Sequence, residues 1–127
     1  MPSSARPVAL LVEHDSDARD IYSAFLSSVG FDVLLEQTAP AAFEAAVRHV
    51  PNVIIADLRL PEANDGITLT TKLRLDARTT KIPIIIVTGE ALVEARARAL
   101  AAGCDLFLTK PCMPDVLAQH ARTLVAA

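Results

Sequence analysis

A chain of 127 residues has the size of one domain and is long enough to bury a real core. Apolar residues at 52% and charged residues at 21% fit a globular protein, and an aromatic share of 4% predicts an aliphatic core with closely packed, alanine-rich helices. The net charge of −3 offers no basic face for nucleic acid, and no apolar run approaches the ~20 residues of a membrane span.

Residues 1–6 are expected to be a flexible tail, without the apolar segment of a secretion signal. Val8 to Val12 reads as a first strand, ending in Glu13-His14-Asp15. Asp15 or Ser16 can cap the helix that follows, in which Ala18, Ile21, Tyr22, Phe25, Leu26 and Val29 recur at helical spacing before Gly30 closes it. Phe31 to Leu35 is a second strand with Phe31, Val33 and Leu35 alternating. An alanine-rich helix from Thr38 or Ala39 to His49 presents Phe43, Ala46, Val47 and Val50.

Val53-Ile54-Ile55-Ala56 is an unbroken apolar run between turn formers, the pattern of a strand buried on both faces, and it delivers Asp57 at its end. Leu58 to Gly66 is a loop, followed by a helix from Ile67 to about Ala77 whose pattern is carried by Ile67, Leu69, Leu73 and Leu75. Ile82 to Val87 is a fourth strand, leading into Thr88-Gly89. A helix from Ala91 to Ala102 stops at Gly103, Asp105 to Leu108 is a short fifth strand, and Lys110-Pro111 follows. Pro114 or Asp115 opens a last helix to about Val125. Cys104 and Cys112 form no Cys-x-x-Cys motif, so two free thiols in a reducing cytoplasm are expected.

Strands and helices alternate throughout. Strands joined by single crossover helices are parallel and right-handed, which predicts a flavodoxin-like doubly wound (βα)5 fold of strand order 2-1-3-4-5 in a single domain. Ligands of such sheets bind beyond the carboxyl ends of the strands. Glu13, His14 and Asp15, then Asp57, Thr88-Gly89 and Lys110 all stand there. Neighbouring acids repel and gain a partner only from a cation; a hard ion with oxygen ligands, Mg²⁺, is the natural one. Asp57 beside Mg²⁺ and a lysine could receive a phosphoryl group, with the Thr88 hydroxyl and Gly89 N–H donating to its oxygens.

With these residues the sequence resembles the receiver domain of bacterial two-component response regulators. The resemblance rests on Val12-Glu13-His14-Asp15, Asp57-Leu58-Arg59-Leu60-Pro61, Asp65-Gly66, Thr88-Gly89, and Lys110-Pro111 with Phe107 three residues before the lysine. It runs from about Val8 to Val125. It implies that Asp57 is the phosphoacceptor, loaded from a phosphohistidine on a sensor histidine kinase or a histidine phosphotransfer protein. Glu13, Asp57 and the Arg59 backbone carbonyl would then be metal ligands, and Lys110 would pair with the phosphoryl group. Thr88 and Phe107 would be the switch pair. The face of the fourth helix, fifth strand and fifth helix would engage an effector, or a second copy as a homodimer. Such a domain is not an enzyme in the usual sense, although it assists its own phosphorylation and dephosphorylation.

The family has two adjacent acids after the first strand, and here the pair is Glu13-His14. Histidine is not a usual Mg²⁺ ligand; it could weaken Mg²⁺ binding, favour Mn²⁺ or another softer ion, or point to solvent. Asp15 could substitute only in part, being one residue out of register. The loop from Pro61 to Gly66 is one residue longer than the common form. Two other readings stand beside the phosphoacceptor. One is an interaction module that keeps the fold without being phosphorylated, for which His14 speaks. The other is a flavin- or nucleotide-binding protein, against which the missing glycine-rich phosphate loop speaks.

Overall fold

The computed structural model describes residues 6–61, 65–89 and 93–126. β1 (Val8–Val12), β3 (Val53–Ala56) and β4 (Ile84–Thr88) form the middle of the sheet, with β2 (Asp32–Glu36) and β5 (Leu106–Thr109) at its edges. All pairings are parallel and the order is β2-β1-β3-β4-β5. That is the expected topology. Every residue of β3 and β4 is buried, as their uninterrupted aliphatic runs require of strands covered on both faces.

Side chains alternate between two cores because successive strand residues point to opposite faces. Leu10, Val12, Ile54, Ala56, Ile84 and Ile86 face one layer, built from α2 (Ala39–His49), α3 (Gly66–Leu75) and α4 (Val93–Ala102). Ala9, Leu11, Val53, Ile55, Ile85 and Val87 face the other, built from α1 (Ser16–Ser28) and α5 (Pro114–Ala126). Each fully buried Leu or Ile contributes about 1.5–3 kcal/mol of hydrophobic stabilisation. Among the described residues no helix is long and apolar enough to cross a membrane.

Local chemistry sets the helix starts. Asp15 caps α1 by accepting from the Ala18 N–H at 3.1 Å, Thr38 caps α2 by accepting from Ala41 at 3.3 Å, and Asp65 caps α3 by accepting from Thr68 at 2.8 Å. Gly30, at φ 112°, carries the chain out of α1 in a left-handed conformation.

Several element limits and faces differ from the sequence-based expectation. Of the expected tail, residues 1–5 lie outside the described residues, whereas Arg6 is anchored: it donates to the Ser27 and Phe31 carbonyls, both at 2.8 Å, and pairs with Asp32 at 3.1 Å. β4 begins at Ile84 rather than Ile82, after Pro83, which has no N–H for the ladder. α3 ends at Leu75 because Asp76 is extended. Ile21 is 56% exposed, Leu75 82% and Val50 53%, so these three do not line the core. In α2 the expected Ala46 is buried, with Phe43 packed against the same layer, and Ala39, Ala42 and Ala45 are buried beside it. In β2, Leu34 packs on the α2 side and Leu35 is exposed, as befits an edge strand. The expected loop residues 62–64, which include the extra loop residue's surroundings, and the expected helix start at Ala91 lie outside the described residues.

Candidate functional site

The strand pairing brings the polar ends of β1 and β3 level with one another. The Asp57 N–H donates to the Val12 carbonyl at 3.0 Å, and the Glu13 N–H donates to the Glu36 carbonyl at 3.0 Å. Both acids therefore leave the sheet as continuations of its ladder, held by backbone hydrogen bonds. Their side chains are almost wholly enclosed, Glu13 at 2% exposure and Asp57 at 7%.

Lys110 comes from the far edge of the sheet and bridges them. Its Nζ donates to Glu13 Oε1 at 2.9 Å and to Asp57 Oδ2 at 3.0 Å. Its own N–H donates to the Thr88 carbonyl at 2.8 Å, which ties the lysine to the end of β4. The peptide bond between Lys110 and Pro111 is cis. The remaining carboxylate oxygens also accept: Glu13 Oε2 from the Asp15 N–H at 3.3 Å, and Asp57 Oδ1 from the Arg59 N–H at 3.1 Å.

Electrostatics follow from this burial. Removal from water pushes the Glu13 carboxyl above its usual range, and the Asp57 charge adds to this, while the Lys110 hydrogen bond works against it. For Lys110, burial alone would lower the ammonium, but the hydrogen bonds to Glu13 and Asp57 and their charges outweigh it and hold the group above its ordinary value. The site at rest thus contains a charged lysine between two acids.

The expected residues fall into two sets. Glu13, His14 and Asp57 come together, each offering a ligand atom, with all of these atoms within 4.8 Å of one another. Two buried carboxylates and an exposed imidazole form this cluster; Asp15 does not join it, its carboxylate being engaged at the start of α1. Thr88, buried at the end of β4, lies opposite Thr109 in the sheet register, and Gly89 follows it exposed. Phe107, 5% exposed, sits inside the core layer with Ala95, Ala99 and Cys104 rather than among the polar groups.

Two neighbours escaped sequence reasoning. Arg19 donates to the Glu13 carbonyl at 3.3 Å, and the Tyr22 hydroxyl donates to the Cys112 carbonyl at 2.9 Å, fastening the loop after Lys110 to α1. Tyr22 was legible only as an apolar position of the helix stripe, and Arg19 carried no signal.

Comparison with known proteins agrees with this geometry. The response regulator receiver domain family model matches residues 9–122. The chain is 36% identical over 124 residues to the response regulator Rre1 of Synechocystis, covering 96% of this chain and 53% of that protein. It is also 36% identical over 110 residues to the chemotaxis protein CheY1 of Helicobacter pylori, covering 85% of this chain and 88% of that one. Among solved structures, the receiver domain of a sensor histidine kinase from Pseudomonas aeruginosa, with magnesium coordinated in its active-site cleft, superposes with a TM-score of 0.88 at 30% identity. That match covers 97% of this chain and 100% of the other. With the order of its sheet, the acids at the ends of β1 and β3 and the lysine that joins them, the chain belongs to the response regulator receiver domain family.

Proposed function

We propose that Asp57 accepts a phosphoryl group from a phosphohistidine on a sensor histidine kinase or a histidine phosphotransfer protein. The observation that carries this reading is the enclosed Asp57 carboxylate at the end of β3, 3.0 Å from the Lys110 ammonium. In the transfer, one Asp57 oxygen bonds to phosphorus, the P–N bond to the donor imidazole breaks, and the imidazole nitrogen keeps the electron pair. The product is an acyl phosphate on Asp57.

The cluster fits a divalent cation, since Glu13 and Asp57 supply buried carboxylate oxygens close together. Glu13, Asp57 and the Arg59 carbonyl would hold Mg²⁺, which when bound neutralises charge on the phosphoryl oxygens. Lys110 supplies a second positive charge from within the fold. The Thr88 hydroxyl and the Gly89 N–H donate to the phosphoryl oxygens. As Thr88 turns toward them, Phe107 repacks between β4 and α4, and the face of α4, β5 and α5 changes its affinity for an effector or for a second copy of the chain. Arg96, which donates to the Phe107 carbonyl at 3.5 Å, supports a link between that residue and the α4 surface. The domain acts as a signalling module that assists its own loading and unloading.

The test is incubation of the purified protein with acetyl phosphate and Mg²⁺, read by intact mass beside Asp57→Asn. An adduct of ~80 Da that Asp57→Asn abolishes is expected. Labelling that survives the substitution, with an acyl phosphate mapped elsewhere, overturns the assignment. A second reading, an interaction module that is not phosphorylated, draws on His14 standing in the cluster. It gains if neither acetyl phosphate nor a phosphorylated histidine phosphotransfer protein labels Asp57 with Mg²⁺ or Mn²⁺.

A further inference from the structure

His14 is the one member of the cluster that phosphoryl acceptance does not call for. It follows Glu13 directly at the end of β1, so its position is set by the same strand end that the hydrogen bond from Glu13 to the Glu36 carbonyl fixes. A ring nitrogen lies within 4.8 Å of a carboxylate oxygen of Glu13 and of one from Asp57. Donors on one six-coordinate ion, with bonds of about 2.1 Å, lie about 3 Å apart when adjacent and about 4.2 Å when opposite. Three donor atoms within 4.8 Å of one another stand close to that spacing. The alternative oxygen donor nearby, the Asp15 carboxylate, is engaged in capping α1 through the Ala18 N–H at 3.1 Å. His14 thus offers a nitrogen beside the oxygens of Glu13 and Asp57, in addition to the proposed Arg59 carbonyl.

A set of two carboxylates and one imidazole differs in kind from an all-oxygen set. Mg²⁺ takes oxygen ligands and gives up its waters reluctantly, whereas imidazole favours the first-row transition ions. The geometry points to His14 as the selectivity residue of the Glu13–His14–Asp57 cluster, a direct ligand that turns the site toward Mn²⁺ and the later first-row ions and away from Mg²⁺. This rests on the reading of the cluster as the metal centre of the phosphoacceptor site. Carboxylates alone also bind transition ions more tightly than Mg²⁺, so the mark of His14 is the ratio of affinities between variants and not any single affinity.

The experiment titrates EDTA-treated protein with MgCl₂, MnCl₂ and CoCl₂ by calorimetry, for the unaltered chain, His14→Ala and His14→Asp. His14 is exposed, so neither substitution disturbs the core, and both variants keep His49 and His120 as internal controls for adventitious binding. The Co²⁺ to Mg²⁺ affinity ratio is expected to be at least tenfold higher in the unaltered chain than in either variant, with His14→Asp binding Mg²⁺ more tightly than the unaltered chain. In ¹⁵N-histidine spectra, one equivalent of Zn²⁺ is expected to move the ring nitrogens of His14 before those of the other two. An unchanged ratio in His14→Ala, or first movement at His49 or His120, overturns the inference. No phosphodonor is present in these titrations. A chain that fails to label Asp57 can still show His14-dependent selectivity, and a chain that labels Asp57 can lack it.

Discussion

The Arg74 guanidinium, at the end of α3, reaches Asp105, the residue before β5, and donates to its Oδ2 at 2.9 Å. The same guanidinium donates to the carbonyls of Gly103 at 2.9 Å, Thr80 at 3.0 Å and Ile82 at 2.6 Å. Asp105 Oδ2 accepts in turn from the Ile84 N–H at 2.8 Å. One side chain thus fastens the end of the sheet opposite the functional residues. Arg74→Met strands three carbonyls and is expected to cost on the order of 2–3 kcal/mol. Asp105→Asn, whose amide oxygen can still accept from Ile84, should cost less. Urea unfolding of the two variants checks the order.

Gly66 opens α3 against the backbone of Asp57. A Cβ built there would stand 2.6 Å from the Asp57 carbonyl oxygen and 3.2 Å from Leu58 Cα, both atoms of a rigid strand end. Gly66→Ala must push β3 and α3 apart. A loss of about 1–3 kcal/mol is expected, with Asp57 displaced from Lys110. Thermal unfolding gives the first quantity, and the amide shifts of residues 57–59 report the second.

Removing the lysine exposes the conflict between the acids. Glu13 already has a carboxyl raised above its ordinary 4.5 by burial. A raised acid contributes stability that is complete below 4.5 and lost as pH rises through its folded value. Lys110 limits that loss, since its hydrogen bond and charge both lower the Glu13 carboxyl. Lys110→Met should therefore be about 2 kcal/mol less stable at pH 7. The deficit should shrink as pH falls toward 4. Urea unfolding in EDTA across this range, beside the unaltered chain, measures it.

Val50 holds a left-handed conformation, φ 43°, at the end of α2, and its side chain is half exposed. A β-branched residue there is strained by about 1–2 kcal/mol, while glycine adopts the region freely at some entropic cost in the unfolded chain. Val50→Gly should stabilise the protein by up to about 1 kcal/mol. A lower melting temperature in the variant would show that Val50 gains more from its neighbours than the backbone loses.

Much of the sheet was legible because β3 and β4 are runs of aliphatic residues, a pattern that only a doubly covered strand explains. The acids of the site were legible for the same reason, each standing where such a run stops. Helix faces were harder to read. In α2 the larger Val50 suggested the inner stripe, yet Ala39, Ala42, Ala45 and Ala46 are buried, because small side chains let a helix approach a sheet closely. Ile21 and Leu75 satisfy a hydrophobic period yet stand exposed. The bridging of Glu13 by Lys110 spans 97 positions, and the reach of Arg74 to Asp105 spans 31; nothing local in the sequence marks either.

All four carboxylate oxygens of Glu13 and Asp57 already accept a hydrogen bond, two of them from one ammonium. Each of these oxygens keeps a second lone pair, so a cation can join the two acids while Lys110 stays in place. The two acids never face each other bare: the fold supplies one tethered charge that is present whether or not a free one arrives.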